Sequence, residues 1–393
     1  MSVPEDNFSD FSSVFDQLED PRVVERITHP LTEILFVIIS GSVCCAESWR
    51  DFVSFAEEKI DFLREHFPYE NGIPSKNTLS SVMASIDPNH FKNCFIAWVK
   101  SLQKHISGVI AIDGKTLCNS FDKADENARA IHMVSAFASQ TRLVLAQQKV
   151  DKKSNEITSI PKLLDLLDLK NNIVTLDAMG CQKSIAKKII ETGGDYIFSL
   201  KGNQGTLNTD IRLFLEAEIN KENSRKINDV NEKSDAGHGR IETRTCYVSD
   251  DIDWLSQIEL WPGLKTIAMI EVRQIKGDKE SIERRFFITS LEADAEKISS
   301  AVRAHWSIEN SLHWTLDVVF NEDGSRVRKD NAPENMAIIR HIVLNMLNGA
   351  KKNFKGSSIK GLRKKAGWGN STNFDSKLLM GQPCTFTRPS ILY

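Results

Sequence analysis

The sequence predicts a mixed α/β fold: a five-stranded sheet flanked by helices, preceded by a helical N-terminal domain and interrupted by a β-rich insertion. Three observations predict it. Residues 1–105 carry apolar residues at helical spacing. From Gly108 the pattern changes to short apolar runs, two of which end at an aspartate. Between residues 216 and 294 strand-like runs alternate with polar stretches, and a helical apolar stripe resumes at Ala295.

In the N-terminal domain, residues 1–105, helix-spaced apolar residues cover Leu31–Ala56, Lys59–His66, Asn77–Ile86 and His90–His105. Gly72-Ile73-Pro74-Ser75 between them is a turn, with Ser75 placed to cap the next helix. Residues 106–215 form the first part of a core. Val109–Ile112 is a buried strand ending at a turn, Asp113-Gly114. Ala130–Ala138 and Leu143–Val150 follow as strands joined by Ser139-Gln140-Thr141. Ile160–Leu167 is a helix capped by Thr158 or Ser159, and Asn172–Leu176 is a fourth strand ending at Asp177. Gln182–Thr192 is a helix stopped by Gly193-Gly194, and Tyr196–Leu200 is a fifth strand. In the insertion, residues 216–294, polar Glu222–Gly239 leads to strands Ile241–Val248, Thr266–Gln274 and Arg284–Thr289. Residues 295–350 are the second part of the core. Ala295–Phe320 is helical with an apolar stripe through Ile298, Val302, Trp306 and Leu312, and 333–348 is a helix with Pro333 near its start. Residues 351–393 read as a loose, basic, Gly- and Ser-containing tail.

Composition narrows the function classes. With 393 residues, 41% hydrophobic and 26% charged, this is an ordinary globular chain. The longest apolar stretch, Ile34–Ala46, is interrupted by Ser40, Gly41 and Ser42 and is too short to span a bilayer. Met1–Asp20 is acidic and lacks the apolar run of a signal peptide, so a cytoplasmic protein is expected. Seven scattered cysteines, with no CxxC pair and no zinc-like Cys/His spacing, argue against a disulfide framework. The net charge of −3 is uneven. Residues 1–33 carry eight Asp/Glu against Arg22 and Arg26, whereas residues 324–378 carry twelve Lys/Arg against Asp330, Glu334 and Asp375. A basic region of this kind suits a polyanion or is simply a solvated surface; charge alone leaves both open.

The residues that carry chemistry are acidic. Asp113 and Asp177 each follow an apolar run, and on adjacent strands both carboxylates emerge at the same sheet edge. Carboxylates that close repel unless a cation neutralises them. Hard oxygen ligands suit Mg²⁺ or Mn²⁺, and two such ions roughly 3.5–4 Å apart can serve an in-line displacement at phosphorus. Glu309, on a helix expected to half-bury it among Trp306, Ile308, Leu312 and Trp314, is the best third carboxylate. His305 and His313 stand four residues either side of it and are not assigned as ligands. Lys115, Lys201, Arg326, Arg328 and Lys329 are expected to contact DNA phosphates, with plain surface charge as the alternative for each.

These residues lie in stretches that resemble the H-repeat-associated insertion-sequence transposases, a branch of the DDE group. The stretches are Leu18–Arg22 (LEDPR) with His29-Pro30-Leu31, Gly72–Ser75, Ala111–Leu117 (AIDGKTL), Ile131–Phe137, Lys153–Pro161 (KSNEITSIP), Leu176–Lys183 (LDAMGCQK), Gly194-Asp195-Tyr196 with Lys201–Gly205 (KGNQG), Gly237–Arg244 (GHGRIETR), Trp261–Lys265 and His305–Val318 (HWSIENSLHWTLDV). The resemblance implies an RNase H-like core and a catalytic and metal-holding triad of Asp113, Asp177 and Glu309. It also implies two Mg²⁺ or Mn²⁺ ions, double-stranded DNA ends and target as partners, nucleoid association when on DNA, and a homodimer in the synaptic complex. The implied reaction is water attack to nick a strand, followed by attack of the freed 3′-hydroxyl on target DNA. Departures from the family pattern are Lys76-Asn77 after Gly72–Ser75 and Cys118-Asn119 after Leu117; the wider group's Arg and Lys flanking the glutamate are here His305 and Leu316. Two rival readings follow: a copy without activity that only binds DNA, and a host RNase H-like nuclease that cuts generic substrates.

Overall fold

The computed structural model describes residues 14–102, 107–121, 129–151, 154–221, 224–237, 239–256 and 258–369. Residues 1–13 and 370–393 of the predicted N-terminal domain and tail lie outside them, as do Lys153 and His238 of the motifs.

Among the described residues, five α-helices precede the first strand: α1 (Leu31–Val43), α2 (Trp49–Glu58), α3 (Ile60–Arg64), α4 (Lys76–Ser85) and α5 (Pro88–Leu102). The apolar run Leu31–Ala56 is two of these, not one. The chain breaks after α1, where Cys45 takes a left-handed φ of 71° and Ala46 N–H bonds back to Gly41 carbonyl at 2.8 Å. Ser48 then restarts the helix through a reciprocal capping box with Asp51. Ser75 caps α4 as expected, accepting from Thr78 N–H at 3.1 Å.

The strands are β1 (Gly108–Leu117), β2 (Ile131–Ala138), β3 (Leu143–Lys149), β4 (Asn172–Leu176), β5 (Asp195–Leu200), β6 (Asp229–Gly237), β7 (Arg240–Ser249), β8 (Thr266–Lys276) and β9 (Lys279–Thr289). They form one sheet of nine, in the order β3-β2-β1-β4-β5-β9-β8-β7-β6. The expected five-stranded sheet is therefore corrected. The inserted strands join the sheet of the first five, because β9 pairs antiparallel with the open edge of β5, Phe198 opposite Ile288. An unpaired β5 would leave a row of backbone donors and acceptors exposed. β6 was read only as a polar stretch. It lies at the sheet edge, its side chains are nearly all exposed, and so it needs no apolar alternation.

Between the strands run α6 (Glu156–Leu164), α7 (Lys183–Glu191) and α8 (Gly205–Ile219); after them come α9 (Ala295–Ser307), a π-helical turn (Ile308–His313), α10 (Trp314–Val318), α11 (Ala332–Ala350) and α12 (Ile359–Trp368). α6 starts at Glu156, with Asn155 as N-cap, so neither Thr158 nor Ser159 caps it. Alternate residues of the central strands feed two cores. Val109 and Ile197 pack with Ala295, Ile298 and Ala301 of α9, whereas Ile110, Val174 and Phe198 belong to the larger core of the opposite face. α11 is buried along almost its whole length. Its Asn345 grips β3 through both Val144 backbone groups, and its Asn335 donates to Met83 and Ile86 carbonyls at the end of α4.

The tail expected to be loose from 351 contains α12. Ser358 caps it, and Arg363, 2% exposed, donates to Ser42 carbonyl at 2.9 and 3.1 Å and to Val319 carbonyl while stacking on Phe320. A buried guanidinium tied to carbonyls leaves no apolar periodicity to read. Among the described residues no helix is long and apolar enough to cross a membrane.

Candidate active site

β1 and β4 run parallel and pair through Ile112 opposite Leu176. Asp113 and Asp177 are the next residue on each, so the sheet brings them side by side. β1 does not turn at Asp113-Gly114. It continues to Leu117, still paired with β2, and only its pairing with β4 stops before Asp113. Asp113 Oδ1 accepts from Gly114 N–H at 2.8 Å. Asp177 Oδ1 accepts from Met179 and Gly180 N–H at 3.0 and 3.1 Å, which pins its carboxylate in the turn after β4.

α9 crosses the same face of the sheet and delivers the third carboxylate. Where α9 ends, the π-helical turn Ile308–His313 widens the helix. Ile308 and Leu312 are fully buried, while Glu309 between them is exposed rather than half-buried. The reason is that Trp306 and Trp314, 39% and 56% exposed, do not shield it. Trp306 instead lies under the Arg285 guanidinium, 4.5 Å from ring centre. His305 is held by Thr175 Oγ1 at 2.9 Å, and His313 Nδ1 stands 3.6 Å from Asp113 Oδ2. Burial lowers the pKa of both imidazoles, that of His313 to about 4.

Asp113 is the electrostatic centre. Burial, with the charges of Asp177, Glu156 and Glu309 adding to it, pushes its carboxyl up to about 7 despite the Gly114 hydrogen bond. Asp177 and Glu309 are therefore both within electrostatic reach of Asp113. Asp177 and Glu309 also line one cavity with Lys201, His305, Trp306, Arg284 and Arg285. Among the described residues no three His, Cys, Asp or Glu side chains stand close enough to hold a single ion as they are placed. The donor set fits a hard divalent cation all the same: carboxylate oxygens, those of Asp113 and Asp177 held by backbone N–H groups that leave further lone pairs for an ion.

Two models of known families match the chain: the DDE_Tnp_1-associated domain over residues 12–99 and the Transposase DDE domain over residues 104–346. The chain belongs to the DDE transposase family. Its relatives in Escherichia coli (strain K12) include the protein YbfL, 43% identical over 355 residues, which span 89% of this chain and 93% of YbfL. They also include the H repeat-associated transposase candidate YhhI, 42% identical over 355 residues with the same coverage, so the resemblance read from the motifs holds. A cryo-EM structure of a piggyBac transposase synaptic complex with hairpin DNA matches over 96% of this chain and 81% of its own, at 10% identity and a TM-score of 0.46.

The five expected DNA-contact residues part company in this DDE transposase. Lys201 is exposed at the cavity. Lys115 is not: its side chain is 10% exposed and its ammonium sits 2.6 Å from Asp317, 3.1 Å from Asp323 and 3.6 Å from Glu322. Arg326 and Lys329 are exposed and Arg328 half-buried in the segment before α11, where Arg328 Nε donates to Asn119 carbonyl. None of these three lines the cavity. The motif residues His132 and Glu156, by contrast, reach Asp113's neighbourhood, joined at 2.5 Å. Only their place in two of the motifs marked them, since neither sits in a pattern of catalytic spacing.

Proposed function

We propose that this transposase cuts and joins DNA at insertion-sequence ends, with Asp113, Asp177 and Glu309 as its catalytic carboxylates. The observation that carries the reading is the convergence of these three acids in a DDE-family chain: Asp113 on β1, Asp177 at the end of the parallel β4 and Glu309 on the turn after α9, the last two both raising the cost of ionising Asp113. On this reading strands β3-β2-β1-β4-β5 are an RNase H-like core and β6–β9 are its insertion.

Two Mg²⁺ or Mn²⁺ ions bound there would lower the pKa of the attacking water and stabilise the leaving oxygen. The chain's own part is positioning. Asp177, pinned by two backbone donors, and Asp113, fixed in the sheet, set the spacing; Glu309 closes the site from its turn. Lys201, Arg284 and Arg285 draw the phosphate backbone into the cavity. A water oxygen attacks phosphorus and the strand's 3′ oxygen leaves, giving a 3′-hydroxyl and a 5′-phosphate. That hydroxyl then attacks a target phosphodiester, displacing the target's 3′ oxygen. Both steps are in-line substitutions, so one set of carboxylates serves both. Two protomers would hold the two ends.

The test is incubation of the purified chain with duplexes carrying the ends that flank its gene, with Mg²⁺ or Mn²⁺. The expected result is a nick at the end boundary, absent with scrambled duplex. Cutting of scrambled duplex at the same rate would indicate a general nuclease. End-specific binding without any nick under Mn²⁺ would indicate a DNA-binding protein only.

A further inference from the structure

Two of the motif stretches, Ile131–Phe137 and Lys153–Pro161, find no use in the three-carboxylate reading. They meet at β1. His132 lies opposite Thr116 in the β1–β2 ladder, and Thr116 Oγ1 is 2.8 Å from His132 Nδ1. The other ring nitrogen, Nε2, is 2.5 Å from Glu156 Oε1, the first residue of α6. The pair rests directly on Gly114, the neighbour of Asp113. A Cβ at Gly114 would stand 2.5 Å from His132 Nε2 and 2.6 Å from the Glu156 carboxyl carbon. Only glycine leaves the carboxylate room against the strand.

We propose that Glu156, held by His132 over Gly114, is a positioning residue that places a fourth negative charge beside Asp113 and strengthens its hold on a divalent cation. The inference rests on the reading of Asp113 as a cation-holding carboxylate. The Glu156 side chain is 14% exposed, so its charge is poorly screened. A neutral glutamine could make the same bond to His132 and tie α6 to β2 without repelling Asp113. A carboxylate at this place costs stability in the free protein and gains its use when a cation arrives.

The experiment is a Mn²⁺ titration of the full chain without DNA, followed by electron paramagnetic resonance. Asp113→Asn serves as the control and is expected to lose the site. Glu156→Gln, with an unchanged near-ultraviolet circular dichroism spectrum, is expected to weaken Mn²⁺ binding ~10–100-fold. Gly114→Ala, which keeps Glu156 charged but pushes it off β1, is expected to weaken binding in the same direction and stands in should Glu156→Gln not fold. Wild-type affinity in folded Glu156→Gln or Gly114→Ala, with Asp113→Asn still defective, would overturn the proposal and leave the pair a structural tie. Wild-type affinity in Asp113→Asn would instead overturn the cation reading itself.

Discussion

Asp113 stands on β1 and Asp177 directly after the paired strand β4, inside a sheet of nine, whereas Glu309 is an exposed residue of a six-residue π-helical turn. Around the first pair everything is committed. Asp177 takes two backbone hydrogen bonds, and Lys115, two residues past Asp113, is locked among Asp317, Glu322 and Asp323, with Arg340 behind Glu322 at 3.2 Å. Around Glu309 the ties are fewer: Lys201 is exposed, while Arg284 and Arg285 pair with Glu271 and Glu283 at 2.8 Å and Arg285 also lies on Trp306. The difference teaches a division of labour. On the proposed reading the sheet fixes the spacing of Asp113 and Asp177, and the helical turn brings the more exposed Glu309 to them.

The largest effect that would break this comparison is on cleavage. Asp113→Asn, Asp177→Asn and Glu309→Gln should each reduce end-specific nicking by at least ~10²-fold while leaving the fold intact, as measured on folded protein by gel assay. If Glu309→Gln alone cut normally, the turn would have no catalytic share.

The two sides should also differ in their response to pH. Asp113 titrates near 7 in the folded protein against about 3.9 when unfolded. Its folded pKa is raised, so its contribution is fully present below pH 4 and is lost as pH rises through 7. This group should therefore cost the metal-free protein up to ~4 kcal/mol between pH 4 and 7, a fall offset in the overall Tm by buried His313 and His341, whose lowered pKa values act in the opposite direction over that range. Asp113→Asn should flatten that fall; Glu309→Gln should barely change it.

Lys115→Met should destabilise the protein by about 3 kcal/mol, because it leaves buried Glu322 and its neighbours short of a cation. Denaturant titration reads this directly, and DNA affinity should keep its salt dependence. Lys201→Ala should do the reverse. It should leave stability within ~0.5 kcal/mol and lower the slope of log affinity against log salt by about one. An unchanged slope would remove Lys201 from the phosphate path.

Much of this division was legible in the sequence. The apolar runs before Asp113 and Asp177 mark both strands, because Val109–Ile112 and Val174–Leu176 are buried on both faces of the sheet. The exposure of Glu309 is not legible in the sequence, because an apolar helix composition does not say which tryptophans face the core. β6 was unreadable because an edge strand has nothing to bury, and α12 because its buried anchor is Arg363. Lys115 looked like a free phosphate contact since its partners lie some 200 residues away, at Asp317, Glu322 and Asp323. The His132–Glu156 pair spans 24 residues and two elements, so only the folded chain brings it to Gly114.

Anomalous diffraction from crystals of the chain with an end-containing duplex and Mn²⁺ tests the central claim most directly. The account predicts two peaks roughly 3.5–4 Å apart, within coordination distance of carboxylate oxygens of Asp113, Asp177 and Glu309. Manganese bound elsewhere with the DNA end in place, and none at these three side chains, would contradict it.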